Sequence, residues 1–451
     1  MINKEQYIIP SLKTKGIFEY FYVVMSLLLL VAAGYTQSTI LNILFIVFLL
    51  IPIKNPVLLL PVLFAAAVTS RLFLSSFDSQ MSLSRIVVTI FILYSILNFI
   101  LKKQARTNKR ILIWLLLTLS IVILSTLQSE TLDFIPLFSF ALNLIMFYFM
   151  SLYILDEQEK KRLNNYMIIS AIFIGLAVLY MTFKSNGMVL INQRLSIKEV
   201  NSNRLAMAIA QVIMILVFAI VTFIKKMKKL FLFFLATLVS GLFFSMLLTG
   251  SRTAFLAVLL SSISIILLTL NGKNKRKLVL GIFILIFISL SIYKFTNGYD
   301  FQGVFRRFTL ENIEESRGTH RINNSVLIIK YVIPHNFYWG VGIGADNVKV
   351  ALGSHNPLFK NAAHNIIIDP LSQIGIFGFL ALWYMIIFVL KKSNRTFKDG
   401  NYLIGLPLSL LLVSLFNGIG ETMYTTRFIW FAMGLCLIFL PNNKKDQMKI
   451  E

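Results

Sequence analysis

LAMAIAQVIMILVFAIVTFI (205–224) is an uncharged, mostly apolar run, closed by Lys225-Lys226-Met227-Lys228-Lys229. A hydrocarbon core about 30 Å thick takes about 20 apolar residues of helix to cross. In lipid the backbone must bond to itself, and a helix does so within one segment. The run therefore reads as part of a transmembrane helix over 203–224, with the lysines left in water. Thirteen further stretches read the same way, at about 18–35, 39–53, 56–70, 85–101, 111–128, 134–154, 164–183, 230–249, 252–271, 278–294, 364–390, 401–418 and 427–440. The pair at 39–70 is short and is broken by Pro52-Ile53-Lys54-Asn55-Pro56, so it also fits a re-entrant hairpin, which lowers fourteen spans to twelve. The fold class expected is an all-α polytopic membrane protein.

Composition agrees. The 451 residues are 57% hydrophobic and 14% charged, with mean hydropathy +0.79, against about 25% charged in soluble domains. The net charge of +24 raises the question of nucleic acid. The basic residues, however, come as short clusters between apolar runs, at 102–110, 160–162, 225–229, 273–277 and 391–398. Such clusters orient membrane spans, so no nucleic-acid partner is expected. All five lie on one side by alternation. They put both termini in the cytoplasm and the intervening loops outside. The start, Met1 to Gly16, is polar and is not read as a cleavable signal peptide. The single Cys436 lies in the last span, so neither a disulfide framework nor a thiol metal site is expected.

The outer side then holds one long polar segment, 295–363, and a smaller loop at 184–202. The chain divides into N-terminal helices (1–200), a second helical group (201–294), the long extracytoplasmic loop (295–363) and C-terminal helices (364–451). All four histidines, His320, His335, His355 and His364, fall in or at the end of that loop. Histidine is the side chain that titrates near neutral pH, so proton chemistry is expected there. His364 opens a span and could take a proton from a hydroxyl; a helix-capping histidine is the plain alternative.

Arginines at the same end present planar forks suited to phosphate. Arg252 follows Leu248-Thr249-Gly250-Ser251, where two apolar runs nearly touch. Arg321 follows Arg317-Gly318-Thr319-His320, ahead of a helix expected near 322–333. Arg204 follows Asn201-Ser202-Asn203, which resembles a helix N-cap. Each also fits a simple interface or loop charge. Gly340-Val341-Gly342-Ile343-Gly344 looks like a phosphate loop but follows no strand, so it reads as a turn. Asp369 and Glu421 stand alone in the sequence, and no carboxylate cluster suits a divalent metal. Phe337-Tyr338-Trp339 fits an interfacial aromatic belt or a sugar-stacking surface.

From about residue 200 to 390 these pieces resemble the O-antigen polymerase/O-antigen ligase family. The resemblance lies in Asn201-Ser202-Asn203-Arg204-Leu205-Ala206, in Thr249-Gly250-Ser251-Arg252-Thr253-Ala254, and in the long loop with Trp339-Gly340-Val341-Gly342-Ile343-Gly344. Its most specific part is His364-Asn365, nine residues, then Gly375-Ile376-Phe377-Gly378. It implies a GT-C-like fold and a glycosyl transfer needing no metal or other cofactor. The donor would be an oligosaccharide on undecaprenyl diphosphate. His364 would be the catalytic base. Arg252, Arg321 and Arg204 would hold the diphosphate, with His320, His355 and Asn365 as candidate acceptor contacts. Gly375 and Gly378 would allow close helix packing.

The Lys-, Asn-, Ile- and Phe-rich composition favours a polysaccharide polymerase for capsule or exopolysaccharide over a ligase acting on lipid A-core. A lipid-linked oligosaccharide flippase is the rival of another class, but it should show repeats and mid-bilayer charges. The expected setting is the bacterial cell membrane, with the active site extracytoplasmic. The expected partners are membrane lipids and the undecaprenyl-diphosphate-linked oligosaccharide. A chain-length regulator and a flippase are further candidates.

Overall fold

Among the described residues, long runs of leucine, isoleucine, valine and phenylalanine form helices. The computed structural model describes residues 14–36, 38–51, 56–70, 82–101, 108–129, 131, 134–183, 188–191, 194–197, 201–223, 227–269, 319–353 and 363–441. The expected span at 278–294 lies outside these residues.

The first seven helices are α1 (Thr14–Thr36), α2 (Thr39–Leu49), α3 (Leu59–Thr69), α4 (Leu83–Leu101), α5 (Lys109–Leu127), α6 (Phe134–Ser151) and α7 (Glu157–Phe183). A two-stranded antiparallel hairpin follows, β1 (Met188–Ile191) with β2 (Arg194–Ile197). It is the one departure from an all-α reading among the described residues. Then come α8 (Ser202–Phe223), α9 (Lys229–Leu248), α10 (Arg252–Thr269), α11 (Thr319–Leu327), α12 (Ala345–Leu352), α13 (Ile368–Lys398), α14 (Gly405–Asn417) and α15 (Arg427–Phe439). Eight helices are long and apolar enough to cross a membrane: α1, α4 to α9 and α13. The chain is an all-α polytopic membrane protein.

Local sequence explains several helix starts. Asp156 Oδ1 accepts from the Glu159 N–H at 2.7 Å while Glu159 Oε2 accepts from the Asp156 N–H at 3.0 Å, a reciprocal cap opening α7. Asn201 Oδ1 accepts from the Asn203 N–H at 2.9 Å at the start of α8. The short helices α2 and α3 have 11 residues each. At about 1.5 Å per residue each is about 17 Å long, short of the hydrocarbon thickness. Every residue of α3 is buried, packed against α1, α4 and α7.

Two antiparallel pairs set the frame for the site. Helix α5 runs against α13: Arg110 donates to the Tyr384 hydroxyl, Trp114 Nε1 to the Ala381 carbonyl and Ser125 Oγ to the Gln373 carbonyl, each at 2.7 Å. Helix α8 runs against α14, with Gly405 close to Phe218 at one end and Gln211 Nε2 donating to Ser414 Oγ at 3.0 Å towards the other. A tight turn at 249–251, with Gly250 at φ 63°, folds α10 back along α9. Helix α10 therefore runs parallel to α8, and it packs on both α8 and α14. The starts of α8, α10 and α13 and the end of α14 thus share one end of the bundle.

Helices α14 and α15 have 13 residues each. The loop joining them is drawn back into the protein, with Met423 and Tyr424 fully buried. Trp430 beneath it contacts Trp114, Phe140 and Phe147 at ring-centroid distances of 6.2, 5.6 and 6.0 Å. Its indole N–H donates to the Tyr424 carbonyl at 2.6 Å.

Candidate functional site

Asn365 explains why the residue after His364 is an asparagine. Its Oδ1 accepts from the Ile367 and Ile368 N–H groups at 2.8 and 3.2 Å, capping α13. Its own N–H donates to Asp369 Oδ2 at 3.1 Å, one helical turn on. The Asn365 side-chain amide and the Ile366 N–H donate to the carbonyls of Ile419 and Gly418, at 3.3 and 2.7 Å, docking the helix start on the α14–α15 loop. His364 therefore precedes the helix rather than opening it. Its φ is 55°, and it is the one non-glycine residue with positive φ among those described. For a residue with a Cβ this left-handed conformation is strained, and such strain persists only where surroundings impose it.

The α14–α15 loop supplies what faces the imidazole. Glu421 Oε2 lies 3.6 Å from His364 Nδ1, and the Thr422 hydroxyl lies 3.5 Å from the same nitrogen. That hydroxyl also donates to Asp369 Oδ2. His364 and Glu421 are partly buried, and Asp369 is fully buried. A carboxylate beside Nδ1 favours a proton there, which leaves the basic lone pair on Nε2. The fold thus brings Glu421 to the imidazole and Asp369 to the Thr422 hydroxyl beside it, although both stand alone in sequence. Their signal was weak: Asp369 is a capping position four residues after Asn365, and Glu421 comes from a different helix junction.

The glycines do something other than pack helices. Helix α13 is broken at Gly375, with φ 65° and ψ −173°. A Cβ there would lie 2.3 Å from the Tyr338 carbonyl oxygen, so the close neighbour is the 337–342 loop. Backbone bonds run Ile376 N–H to Phe337 O, Val341 N–H to Ser372 O and Gly342 N–H to Gln373 O, at 2.8, 2.9 and 2.9 Å. A Cβ on Gly378 would meet the Ile374 side chain of its own helix at 2.7 Å. The break also separates His364 from both glycines, so they share no continuous helix face. The glycine-rich loop is followed by α12. Its amides are spent on protein acceptors: Gly340 on Asn336 O, Val341 and Gly342 as above, Ile343 on Thr126 Oγ1 and Gly344 on Gln373 Oε1. No phosphate cradle is left. Gln373 Oε1 also accepts from the Tyr424 hydroxyl at 2.5 Å. Burial first, then the Asp369 carboxylate, holds that phenol well above its ordinary pKa, so it stays a donor.

Two of the arginines sit at helix starts at this end of the bundle. Arg252 is the first residue of α10 and half-buried, and Arg204 is exposed in the first turn of α8, both at the end of the bundle that holds His364. The backbone of His320 and Arg321 lies in the first turn of α11, but their side chains, and all of His355, lie outside the described residues. His335 is exposed beyond the five-residue π-helical turn (Ile328–Val332) that continues α11. Phe337, Tyr338 and Trp339 are 42, 62 and 36% exposed, with Tyr338 and Trp339 packed on Phe377. Among the described residues no group of three His, Cys, Asp or Glu is arranged to hold a metal ion.

Two comparisons with known proteins bear on this geometry. No curated protein matches the chain. Residues 237–383 match the family model described as O-antigen ligase. The matched stretch runs from α9 through the break in α13 and contains Arg252, His364, Asn365, Gly375 and Gly378; Glu421 lies beyond it. Over this segment the chain is similar to the O-antigen ligase family, and the match supports glycosyl transfer of that general type at a membrane.

Proposed function

We propose that the protein is a polysaccharide polymerase. It transfers a glycan from undecaprenyl diphosphate to a hydroxyl of a second lipid-linked repeat unit, without a metal, on the outer face of the cell membrane. The observation that carries this reading is the His364 imidazole held beside Glu421 at the end of the bundle where α8 and α10 begin with arginines. His364 Nε2 takes the proton of the acceptor hydroxyl, and the Glu421 carboxylate stabilises the imidazolium that forms. The hydroxyl oxygen bonds to the anomeric carbon. The bond from that carbon to the diphosphate oxygen breaks, and the diphosphate leaves with the electron pair. Arg252, with Arg204 and Arg321, offsets the charge growing on the leaving group.

The positive clusters at 102–110, 160–162, 225–229, 273–277 and 391–398 support a cytoplasmic location for the opposite end of the bundle and for both termini. The Lys-, Asn-, Ile- and Phe-rich composition supports a polymerase. The family description favours a second reading, transfer of the glycan to lipid A-core as a ligase. Purified protein supplied with a lipid-linked repeat unit, with and without lipid A-core, separates the two. A ladder of longer lipid-linked glycans without lipid A-core is the result expected. Product formed only when lipid A-core is present would make the protein a ligase.

A further inference from the structure

Asp369 belongs to no step of the chemistry above, yet it is a fully buried carboxylate at the centre of the site. One of its oxygens, Oδ2, accepts both the Asn365 N–H at 3.1 Å and the Thr422 hydroxyl. Asn365 follows His364, and Thr422 follows Glu421. A single oxygen therefore ties the chain on the imidazole's side to the chain on the glutamate's side. The other oxygen, Oδ1, is also buried, and the backbone of Ala363 and His364 lies beside the carboxylate as well. A carboxylate buried this deeply costs stability even when it is hydrogen-bonded. A helix cap alone does not require it, because Asn365 already caps α13 through its own side chain.

We propose that Asp369 is the positioning residue of the site: it holds His364 in its left-handed backbone and sets the separation of His364 from Glu421. This rests on the glycosyl-transfer reading given above. Asp369 does not act on substrate, since its carboxylate has no exposed surface. If the Asp369–Thr422 bond is lost, the Glu421–Thr422 segment is free to draw away from Nδ1. If the carboxylate itself is lost, the Asn365 N–H also loses its acceptor, and the strain at φ 55° is no longer opposed. The imidazole remains present but is misaimed. Misplacement by about 1 Å costs on the order of 100-fold in rate.

The test is a set of variants in purified full-length protein, read by two methods. The first is elongation of a lipid-linked repeat unit. Asp369→Asn and Thr422→Val are each expected to lower kcat about 10- to 100-fold, with KM changed by less than about threefold. The double variant should lose less than the product of the two single losses, because both changes act on the Asp369–Thr422 contact. Thr422→Ser, which keeps the donor, should recover most of the kcat lost in Thr422→Val. The alkaline rise of kcat/KM with pH should persist in Asp369→Asn, because His364 is still the base; its disappearance would make Asp369 itself the base and overturn the proposal.

The second readout needs no activity. The rate of diethyl pyrocarbonate modification is followed by mass spectrometry at His364, with exposed His335 as internal reference. Loosening should speed modification of His364 about threefold or more in Asp369→Asn and Thr422→Val. Wild-type kcat in both variants overturns the positioning role. Should the wild-type protein elongate nothing, the glycosyl-transfer reading fails by itself, and the modification rate still decides. An unchanged rate at His364 overturns the positioning role, and a faster one sustains it.

Discussion

His364 is held in a conformation that costs about 1–3 kcal/mol for a residue with a Cβ, beside a carboxylate that lies 57 positions further along the chain. Its place at the mouth of a span was legible in the sequence. Glu421, Thr422 and Asp369 were not, because what makes them neighbours is a loop drawn back between two short helices, and no local spacing records that. Two outcomes follow at this scale. Glu421→Gln keeps the shape but removes the charge that favours imidazolium, so kcat should fall about 10- to 100-fold in the elongation assay while the protein still accumulates in the membrane. His335→Ala, an exposed position remote in sequence from the signature, should elongate at the wild-type rate; a loss as large as that of Glu421→Gln would move the proton chemistry out of the His364 recess.

Helix α13 shows where periodicity misleads. Ile374-Gly375-Ile376-Phe377-Gly378 continues an apolar run, and nothing local announces a break. The break exists because the backbone of the 337–342 loop pairs with residues 372–376 across more than thirty positions of sequence. Glycine is required at Gly375 both by φ 65° and by the carbonyl 2.3 Å from its missing Cβ. Gly375→Ala should therefore cost about 2–4 kcal/mol, from backbone strain and overpacking together. Gly378→Ala presses on the Ile374 side chain from its Cβ outward, but without a positive φ or a backbone clash, and should cost less. Thermal unfolding in detergent should rank the midpoints wild type, Gly378→Ala, Gly375→Ala. Equal loss from both would mean that the break is not held by the loop. The glycine-rich loop was legible as a turn, but its pairing partner was not.

The class of the whole molecule was legible because lipid demands length and apolarity, and the chain has both at eight long helices. The shortness of α2 and α3 beside a proline-bounded break was legible too; less legible were α14 and α15, around the buried loop that carries Glu421. Orientation is a matter for the entire charge pattern. Reporters fused at either terminus should be active only in the cytoplasm, and one inserted in the 184–202 loop only outside. The most direct measurement of the central claim is elongation of a lipid-linked repeat unit by purified protein in excess EDTA, with wild type and His364→Ala side by side. The account predicts an undiminished ladder from the wild-type protein in EDTA and none from the folded variant. A wild-type ladder abolished by EDTA and restored by a divalent cation, or a full ladder from His364→Ala, would contradict it.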